Sequence, residues 1–340
     1  MSHATRILVV GPSWAGDMVM AQVLFKAIKR RSAAVLIDVL APTWSRPLLR
    51  HMPEVSGIID LPLGHGELGL GKRWRLGRSL RGAAYDQAIL LPNSLKSALI
   101  PLFAGIPRRT GWIGESRYGL LNDIRRLDKA RLPMMVQRFV ALSAPVDTDE
   151  LPEIEPPSLY VERDEVETVL QALGLAVKSK RILALCPGAE FGAAKRWPES
   201  AYAELADHYL QRDWSVWLFG SANDRDVCGA IDRQVDGRTI DLSGRTSLEQ
   251  AVVLLSQADA VVSNDSGLMH VAAALRRPLV AVYGSTDPAF TPPLNGNSRI
   301  VRLGLDCSPC FKRECPLGHL DCLARLPASR VIAALEELLA

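Results

Sequence analysis

Long apolar runs are missing from this sequence of 340 residues. The longest uncharged stretch that is also largely apolar, residues 97–107, holds 11 residues and is interrupted by Pro101, whereas a helix that spans a bilayer needs about 20 apolar residues. A signal peptide is not expected either, because the apolar residues 7–10 are few and lead directly into a Gly-rich turn. The sequence therefore predicts a cytoplasmic protein without a transmembrane segment.

Features of nucleic-acid-binding proteins are also scarce. The basic residues are spread along the chain, and no helix-turn-helix or zinc-finger spacing occurs. The net charge is only +3, yet residues 1–150 contain 21 Lys and Arg against 12 Asp and Glu, while the remaining residues contain 19 against 25. A basic first half predicts an anionic partner, and a phosphorylated small molecule or a lipid head group fits better than nucleic acid.

The length of the chain exceeds what one ordinary hydrophobic core accommodates, so two domains are expected. The Pro-rich and acidic residues 143–160 predict the linker, and we place the boundary near residue 158. The predicted domains cover residues 1–158 and 159–326. A C-terminal helix is predicted over 327–340, and its packing onto the N-terminal domain is left open.

Short β-branched segments alternate with helical patterns in both halves. Strands are predicted over residues 7–10, 35–40, 87–91, 182–186, 216–219, 239–242, 260–263 and 279–283. Helices are predicted over residues 17–30, from about 94, and over 198–211, 247–257 and 266–275. This alternation favours an α/β fold of two Rossmann-like domains with parallel sheets. Because such sheets bind ligands beyond the carboxyl ends of their strands, the loops after each strand are the candidate sites.

The loop over residues 11–17, Gly-Pro-Ser-Trp-Ala-Gly-Asp, joins the first predicted strand to a helix. It is not the dinucleotide-binding fingerprint, because Ser13 occupies the middle glycine position. Its last residue, Asp17, has two interpretations. It is either an acid of the first helical turn that complements the helix dipole, or a general base that stays ionised near neutral pH.

A second loop, residues 186–198, begins at the end of a buried strand and carries small residues together with Lys195 and Arg196. Small side chains let backbone amides approach a phosphate, and the two cations can neutralise its charge. A solvated surface loop is the alternative interpretation. The pattern predicts a phosphate-binding loop.

The third loop, residues 263–270, turns from a strand into a helix. The free amides of Ser266, Gly267 and Leu268 predict an anion site at the start of that helix. His270 lies about one turn further along. A lone helical histidine is usually structural, but this one lies next to an anion site at the carboxyl end of a strand, and we predict a functional role for it.

Eight short motifs together resemble glycosyltransferase family 9, the heptosyltransferases. They lie at residues 11–18, 52–55, 61–66, 91–94, 109–112, 118–123, 186–197 and 264–274. The resemblance covers most of residues 5–305. It implies the GT-B architecture, in which two Rossmann-like domains face each other across a cleft, with the nucleotide-sugar held mainly by the second domain and the acceptor by the first. It also implies transfer, with inversion, of L-glycero-D-manno-heptose from ADP-heptose to the first heptose of the Kdo–lipid A inner core of lipopolysaccharide.

The resemblance assigns roles to residues by position. Asp17 corresponds to the base that deprotonates the acceptor hydroxyl, and Lys195 to the ligand of the diphosphate. The donor-binding residues so assigned are Glu190, Lys195, Arg196, Ser221, Asp265, Ser266, Gly267 and His270. No cofactor is expected, because helix N-termini and Lys195 can stabilise the leaving diphosphate without a metal.

The acceptor-binding residues are predicted in the basic first domain. They are Ser13, Trp14, Asn93, Arg78, Arg81 and Arg109. The arginines are included because the implied acceptor carries phosphates and Kdo carboxylates. That acceptor lies at the inner face of the cytoplasmic membrane, so peripheral attachment to the membrane is an additional expectation.

The cysteines present a separate pattern. Four of the six occur as Cys307-x2-Cys310-x4-Cys315-x6-Cys322. This spacing departs from that of the usual structural zinc sites, so the four are a weak metal candidate with plain reduced thiols as the alternative. Residues 147–149, Asp-Thr-Asp, match the metal-binding DxD motif of another glycosyltransferase fold, but we interpret them as part of a solvated linker.

Three alternative functions remain open on the sequence alone. A two-domain binding protein would close on its ligand without reacting it, and would gain little from a carboxylate such as Asp17 facing an anionic ligand. A nucleotide-sugar epimerase of the same fold would need no lipid acceptor. A heptosyltransferase I-like enzyme would act on Kdo–lipid A, although the sequences of residues 11–17 and 264–270 favour the enzyme that adds the second heptose.

Overall fold

The computed structural model describes residues 4–64, 66–145, 153–175 and 180–340. The chain divides into two units, Met1–Pro157 and Ser158–Ala340. The aspartates of the 147–149 motif and His65 of the 61–66 motif lie outside the described residues.

The first unit is built around a parallel sheet. Its strands are β1 Arg6–Val10, β2 Leu36–Pro42, β3 Gly57–Leu61, β4 Gln87–Leu90, β5 Arg108–Trp112 and β6 Asp123–Arg125. Its α-helices, within the described residues, are α1 Ala15–Arg31, α2 Arg46–Arg50, α3 Leu70–Ser79, α4 Leu95–Phe103 and α5 Met135–Val140. The strands follow the order β3-β2-β1-β4-β5-β6. This order and the parallel pairing are those of a Rossmann-type sheet.

Apolar side chains explain why β1 occupies the centre of this sheet. Leu8 and Val9 of β1, Leu40 of β2 and Leu90 of β4 are fully buried, as expected for parallel strands with both faces covered. Helices α1 and α5 pack against each other, as do α3 and α4. The first unit therefore has a hydrophobic core of its own.

The second unit repeats this architecture. Its strands are β7 Ile182–Cys186, β8 Ser215–Leu218, β9 Ile240–Asp241, β10 Ala260–Asn264, β11 Leu279–Val282 and β12 Ser298–Val301. Its α-helices, within the described residues, are α6 Arg163–Ala172, α7 Glu199–Leu210, α8 Arg225–Gln234, α9 Leu248–Leu255, α10 Gly267–Ala274, α11 Asp321–Ala324 and α12 Ala328–Leu339. The strand order is β12-β11-β10-β7-β8-β9, again parallel.

Two details of the second unit refine the sequence predictions. Pro198 was expected at the first helical position of α7, but it is the N-cap residue, with extended backbone (φ −55°, ψ 143°). The C-terminal helix α12 packs against α7, β11 and β12 of the second unit and buries Val331 and Leu335 there. Its apolar face is therefore used by the second core.

The strand order reverses at one place in each sheet. In the first unit β1 lies between β2 and β4, and in the second β7 lies between β8 and β10. The loops that follow β1 and β4, and those that follow β7 and β10, therefore diverge at the carboxyl edge of their sheets. Such reversal points are where open α/β sheets bind ligands.

Candidate active site

The loop after β1 presents three of the predicted residues at the carboxyl edge of the first sheet. Ser13 and Trp14 are exposed, and Trp14 is the extended N-cap residue of α1. Asp17 lies half-buried in the first helical turn. The turn is tight, because a Cβ atom on Gly11 would lie 2.8 Å from Cε of Met18. The helix N-terminus favours the ionised carboxylate at Asp17, as both interpretations of that residue require.

Asn93 lies in the loop after β4, the strand beside β1, and a residue missed by the sequence analysis fixes it there. The guanidinium of Arg117 is almost fully buried and donates to the carbonyl of Pro92 at 2.8 Å and to Oδ1 of Asn93 at 3.4 Å. Arg117 also donates to the carbonyl of Trp112. Only the burial of Arg117 reveals that it positions this loop.

The three predicted acceptor arginines lie elsewhere. Arg81 donates to the carbonyl of Phe103 at 3.0 Å, and Arg109 donates to those of Ile106 and Leu120 at 2.6 and 2.7 Å. Phe103 and Ile106 precede β5 and Leu120 precedes β6, so these arginines lie at the amino edge of the sheet. Arg78 lies in the last turn of α3, close to Arg81 in sequence. The structure therefore does not bring the arginines together with Ser13, Trp14 and Asn93, and their role in acceptor binding stays a prediction.

The second unit brings together the loops after β7, β10 and β11. Nζ of Lys195 lies 2.6 Å from Oδ2 of Asp265, and both side chains are largely buried. Thr286, which follows β11, donates its hydroxyl to the same oxygen at 2.5 Å. An ammonium has three donors, so Lys195 keeps donors for a ligand while Asp265, itself held by Thr286, fixes its position. Thr286 was missed by the sequence analysis, although its place after a buried strand was a signal for it.

Helix α10 begins beside this ion pair. Ser266 is its N-cap residue and lies with its Oγ 3.3 Å from Oγ of Ser263, and Gly267 is the first helical residue. The amides of the first turn have no acceptor within the helix, so they are available to an anion. The arrangement places a helix N-terminus next to an ammonium, as predicted for a diphosphate site.

His270 is buried in α10 close to the same groups. Burial lowers the pKa of its imidazole to about 4, with the charge of Lys195 acting in the same direction and that of Asp265 against it. The imidazole is therefore neutral at pH 7 and can donate one hydrogen bond without adding charge. This neutral state distinguishes His270 from a charged phosphate ligand.

Asn264, the last residue of β10, holds the second loop in position. Its Nδ2 donates to the carbonyl of Pro187 at 2.6 Å, and its Oδ1 accepts from the amide of Trp197 at 3.2 Å and from the hydroxyl of Tyr202 at 3.1 Å. One fully buried side chain therefore ties the two ends of the loop over residues 187–197 to the end of β10, directly before Asp265.

The loop after β8 contains Ser221, one of the predicted donor-binding residues. Ser221 donates to Oδ2 of Asp224 at 2.8 Å and caps the short helix that follows, while its Oγ also lies 3.3 Å from Oε1 of Glu190. Arg196 lies 3.6 Å from the other oxygen of Asp224. A Cβ atom on Gly188 would lie 2.5 Å from the Asp224 carboxyl carbon. Glu190, Arg196 and Ser221 are thus brought together around a carboxylate whose role the sequence analysis missed.

The cysteines of residues 307–322 are free thiols. Burial raises the pKa of the Cys322 thiol most, and the other three cysteines nearby raise it further. Backbone amides, first that of Leu320, lower the pKa of the Cys315 thiol. Across the described ranges, no group of three or more His, Cys, Asp or Glu residues is arranged to hold a metal ion. None of the helices in those ranges is long and apolar enough to cross a membrane.

A comparison with known families agrees with this geometry. The family model described as glycosyltransferase family 9 (heptosyltransferase) matches residues 73–321. The chain belongs to glycosyltransferase family 9. It is therefore a glycosyltransferase, and the resemblance carried by the eight short motifs is confirmed.

Individual relatives are similar along the whole chain. Lipopolysaccharide heptosyltransferase 2 of Salmonella typhimurium is 48% identical over 344 residues, with 98% of each chain covered. The solved structure of E. coli ADP-heptose lps heptosyltransferase II has a TM-score of 0.88 at 45% identity, again with 98% of each chain covered. Lipopolysaccharide heptosyltransferase 1 of Pseudomonas aeruginosa is only 26% identical over 365 residues, with 98% of each chain covered. The similarity thus favours the second heptosyltransferase over the first, and the GT-B fold prediction is confirmed.

Proposed function

We propose that this member of glycosyltransferase family 9 transfers L-glycero-D-manno-heptose from ADP-heptose to the first heptose of the heptosyl-Kdo–lipid A inner core, with inversion at the anomeric carbon. The observation that carries the proposal is the 48% identity over 98% of the chain to a lipopolysaccharide heptosyltransferase 2. The anion site formed by Lys195 and the start of α10 supports it, since a nucleotide-sugar donor needs such a site for its diphosphate.

The donor site accounts for departure of the diphosphate. As the bond between the sugar and the diphosphate breaks, negative charge grows on the leaving oxygen. Fixed donors aimed at that charge stabilise the transition state more than the ground state. Lys195 and the α10 amides are such donors, and the Asp265 carboxylate fixes Lys195 at 2.6 Å before the donor binds. In this proposal His270 contributes a neutral hydrogen bond to the sugar or the diphosphate.

Asp17 serves as the general base. In an inverting transfer the acceptor hydroxyl attacks the anomeric carbon from the side opposite the diphosphate, and its proton passes to a carboxylate. Asp17 lies in the first turn of α1, where the helix N-terminus keeps it ionised. Ser13, Trp14 and Asn93 lie at the same edge of the sheet, and we assign the sugar of the acceptor to them.

A mass-spectrometric transfer assay separates this function from its alternatives. The protein is incubated with ADP-heptose and either heptosyl-Kdo–lipid A or Kdo–lipid A. A mass increase of one heptose on heptosyl-Kdo–lipid A supports the proposal. An increase on Kdo–lipid A alone would instead identify a heptosyltransferase I-like enzyme. Conversion of a nucleotide-sugar without any acceptor would identify an epimerase, and binding without any product would identify a binding protein.

We further propose that the protein works in the cytoplasm at the surface of the inner membrane, where the lipid acceptor lies. The outer side of α3 supports this proposal. Leu70 and Trp74 are 52% and 50% exposed one helical turn apart, and the guanidinium of Arg78 lies 5.5 Å from the centre of the Trp74 ring. Exposed Trp and Leu flanked by basic side chains are typical of helices that lie in a membrane interface.

Vesicle flotation tests this location. The protein is mixed with vesicles of phosphatidylglycerol and phosphatidylcholine, or of phosphatidylcholine alone, and the bound fraction is measured. We expect binding to the anionic vesicles and its loss in the Trp74→Ala variant. The control is Leu317→Ser, which removes an even more exposed apolar side chain from the second unit. Equal binding by wild type and Trp74→Ala would contradict this role of α3.

A further inference from the structure

Two cations share one aromatic ring in the donor loop. Nζ of Lys195 lies 4.9 Å from the centre of the Phe191 ring, and Cζ of Arg313 lies 5.6 Å from the same centre. Both distances lie within the range of cation–π attraction, about 6 Å. The ring therefore holds a second cation close to the ammonium that we assign to the diphosphate.

The backbone of Arg313 is part of the donor loop as well. Its carbonyl accepts a hydrogen bond from the amide of Ala194 at 3.0 Å. A Cβ atom on Gly192 would lie 2.3 Å from that carbonyl oxygen, so only glycine permits this approach. Residues 192–194 immediately precede Lys195. The segment that carries Arg313 is therefore packed directly on the chain that positions the ammonium.

This segment is also attached to the strands that form the site. The amide of Phe311 donates to the carbonyl of Ser285 at 2.7 Å, and the hydroxyl of Ser308 donates to that of Gly284 at 2.5 Å. Both carbonyls belong to the loop after β11, which supplies Thr286. Arg313 thus enters the donor site on a segment with three hydrogen bonds to the loops around it.

The cations of these loops differ in whether a carboxylate lies close to them. Lys195 is paired with Asp265 at 2.6 Å, and Arg196 lies 3.6 Å from Asp224. For Arg313, by contrast, no ion pair with a carboxylate occurs among the described residues. A diphosphate carries several negative charges, and a single ammonium that is already paired with Asp265 neutralises them incompletely. The exposed guanidinium of Arg313 is the nearby charge that a ligand can still recruit.

We infer that Arg313 is a further donor-binding residue, which binds the diphosphate of the nucleotide-sugar together with Lys195 while Phe191 orients both cations. The inference rests on the proposed function, because that function places the diphosphate at Lys195. A planar guanidinium binds phosphate oxygens through two parallel hydrogen bonds, so it adds orientation as well as charge.

Calorimetric titration of the full-length protein with ADP and with adenosine tests the inference. For Arg313→Gln we expect the dissociation constant of ADP to rise roughly tenfold, as for loss of one charge-assisted contact at a partly exposed site. Adenosine lacks phosphate, so its affinity should not change. Arg313→Lys keeps the charge but not the planar guanidinium, so its dissociation constant for ADP should lie between those of the wild type and Arg313→Gln.

Lys312→Gln is the matched control, because it removes the same charge from the neighbouring exposed residue. It should leave the affinity for ADP within about twofold of the wild-type value. Unchanged ADP affinity in Arg313→Gln would overturn the inference. An equal loss of affinity for ADP and adenosine would also overturn it, because the side chain would then only shape the loop. Failure of the wild-type protein itself to bind ADP would instead overturn the proposed function.

Discussion

At the scale of single residues, the site depends on carboxylates held next to positive groups. Asp265 bridges Lys195 and Thr286, at 2.6 and 2.5 Å, and Asp224 accepts from Ser221 and lies near Arg196. Asp17 lies in the first turn of α1, next to the exposed residues Ser13 and Trp14. We propose that it acts as the base, and that Asp265 acts by positioning Lys195.

Replacement of Asp17 by Asn tests its role as the base. General-base catalysis raises a reaction rate roughly 100-fold to 10,000-fold. We therefore expect Asp17→Asn to lower kcat for transfer by a factor of that order, while the affinity for ADP stays near the wild-type value. Transfer is measured by the mass assay and ADP affinity by calorimetry. Near-normal turnover in a folded variant would show that another group takes the proton.

His270 makes the stability of the second unit depend on pH. Its folded pKa of about 4 lies below the usual 6.5, so between these values the unfolded chain binds a proton that the folded protein does not. Stability is therefore complete above pH 6.5 and falls as the pH drops. From the difference in pKa we expect about 2 kcal/mol to be lost between pH 7 and pH 5.

The comparison for this prediction is His270→Gln, which lacks the titrating group. Urea unfolding at pH 7 and pH 5 gives the free energy of unfolding for both proteins, and the carboxylates common to them largely cancel in the difference. Between pH 7 and pH 5 we expect the free energy of unfolding to decrease less in His270→Gln than in the wild type. An identical decrease in both proteins would mean that His270 does not bind its proton on unfolding.

At the scale of elements, the close crossing of α3 and α4 depends on one glycine. A Cβ atom on Gly77 would lie 2.5 Å from Cβ of Phe103 and 2.9 Å from the carbonyl oxygen of Ile100. Both obstacles lie on or next to the backbone of α4 and cannot rotate away. The helices pack closely only because this position has no side chain.

We therefore expect Gly77→Ala to destabilise the protein by about 1–3 kcal/mol through overpacking. Gly71→Ala is the control in the same helix, because a Cβ atom there meets nothing within 4 Å. Because alanine has a higher helix propensity than glycine, Gly71→Ala should stabilise the protein by about 0.5–1 kcal/mol. Chemical denaturation measures both, and a neutral Gly77→Ala would mean that α3 can move away from α4.

Two of the strands that the sequence analysis missed share a physical cause. Strand β5, Arg-Arg-Thr-Gly-Trp, and strand β6, Asp-Ile-Arg, lack an apolar run. In the folded protein Asp123 accepts from Arg108, Arg125 and Thr110 at 2.8–3.2 Å. These strands are stabilised by cross-strand polar contacts, which periodicity does not reveal.

At the scale of the whole molecule, the excess of positive charge in residues 1–150 predicts how the acceptor is held. Long-range attraction between exposed charges is screened over about 8–10 Å at physiological salt. We therefore expect the acceptor KM to rise with ionic strength. The measurement is the transfer rate at several salt concentrations and saturating ADP-heptose, and a KM independent of salt would contradict an electrostatic role for the first unit.

Two pairs of charges on α3 and directly after it locate that role. Lys72 lies in the first turn of α3 and Arg75 near its middle, after the carboxyl end of β3, while Arg78 lies in the last turn and Arg81 directly after the helix, toward the amino edge. Because ligands bind at the carboxyl edge, we expect Lys72→Gln with Arg75→Gln to raise the acceptor KM more than Arg78→Gln with Arg81→Gln. The opposite ranking would restore the original assignment of Arg78 and Arg81. Arg109 is left in place, since its guanidinium holds two backbone carbonyls.

The sequence by itself determined the α/β class, the two repeating halves, the family and the loops that carry Asp17, Lys195 and Asp265. These features are local, because strand periodicity, turn residues and short motifs depend on neighbours in the chain. Only the tertiary structure decided that Arg117 is buried beneath Asn93, that Arg313 shares a ring with Lys195, and that the predicted acceptor arginines lie at the amino edge. Each of these depends on residues far apart in sequence, whose contacts form only when the strands have been ordered in the sheet.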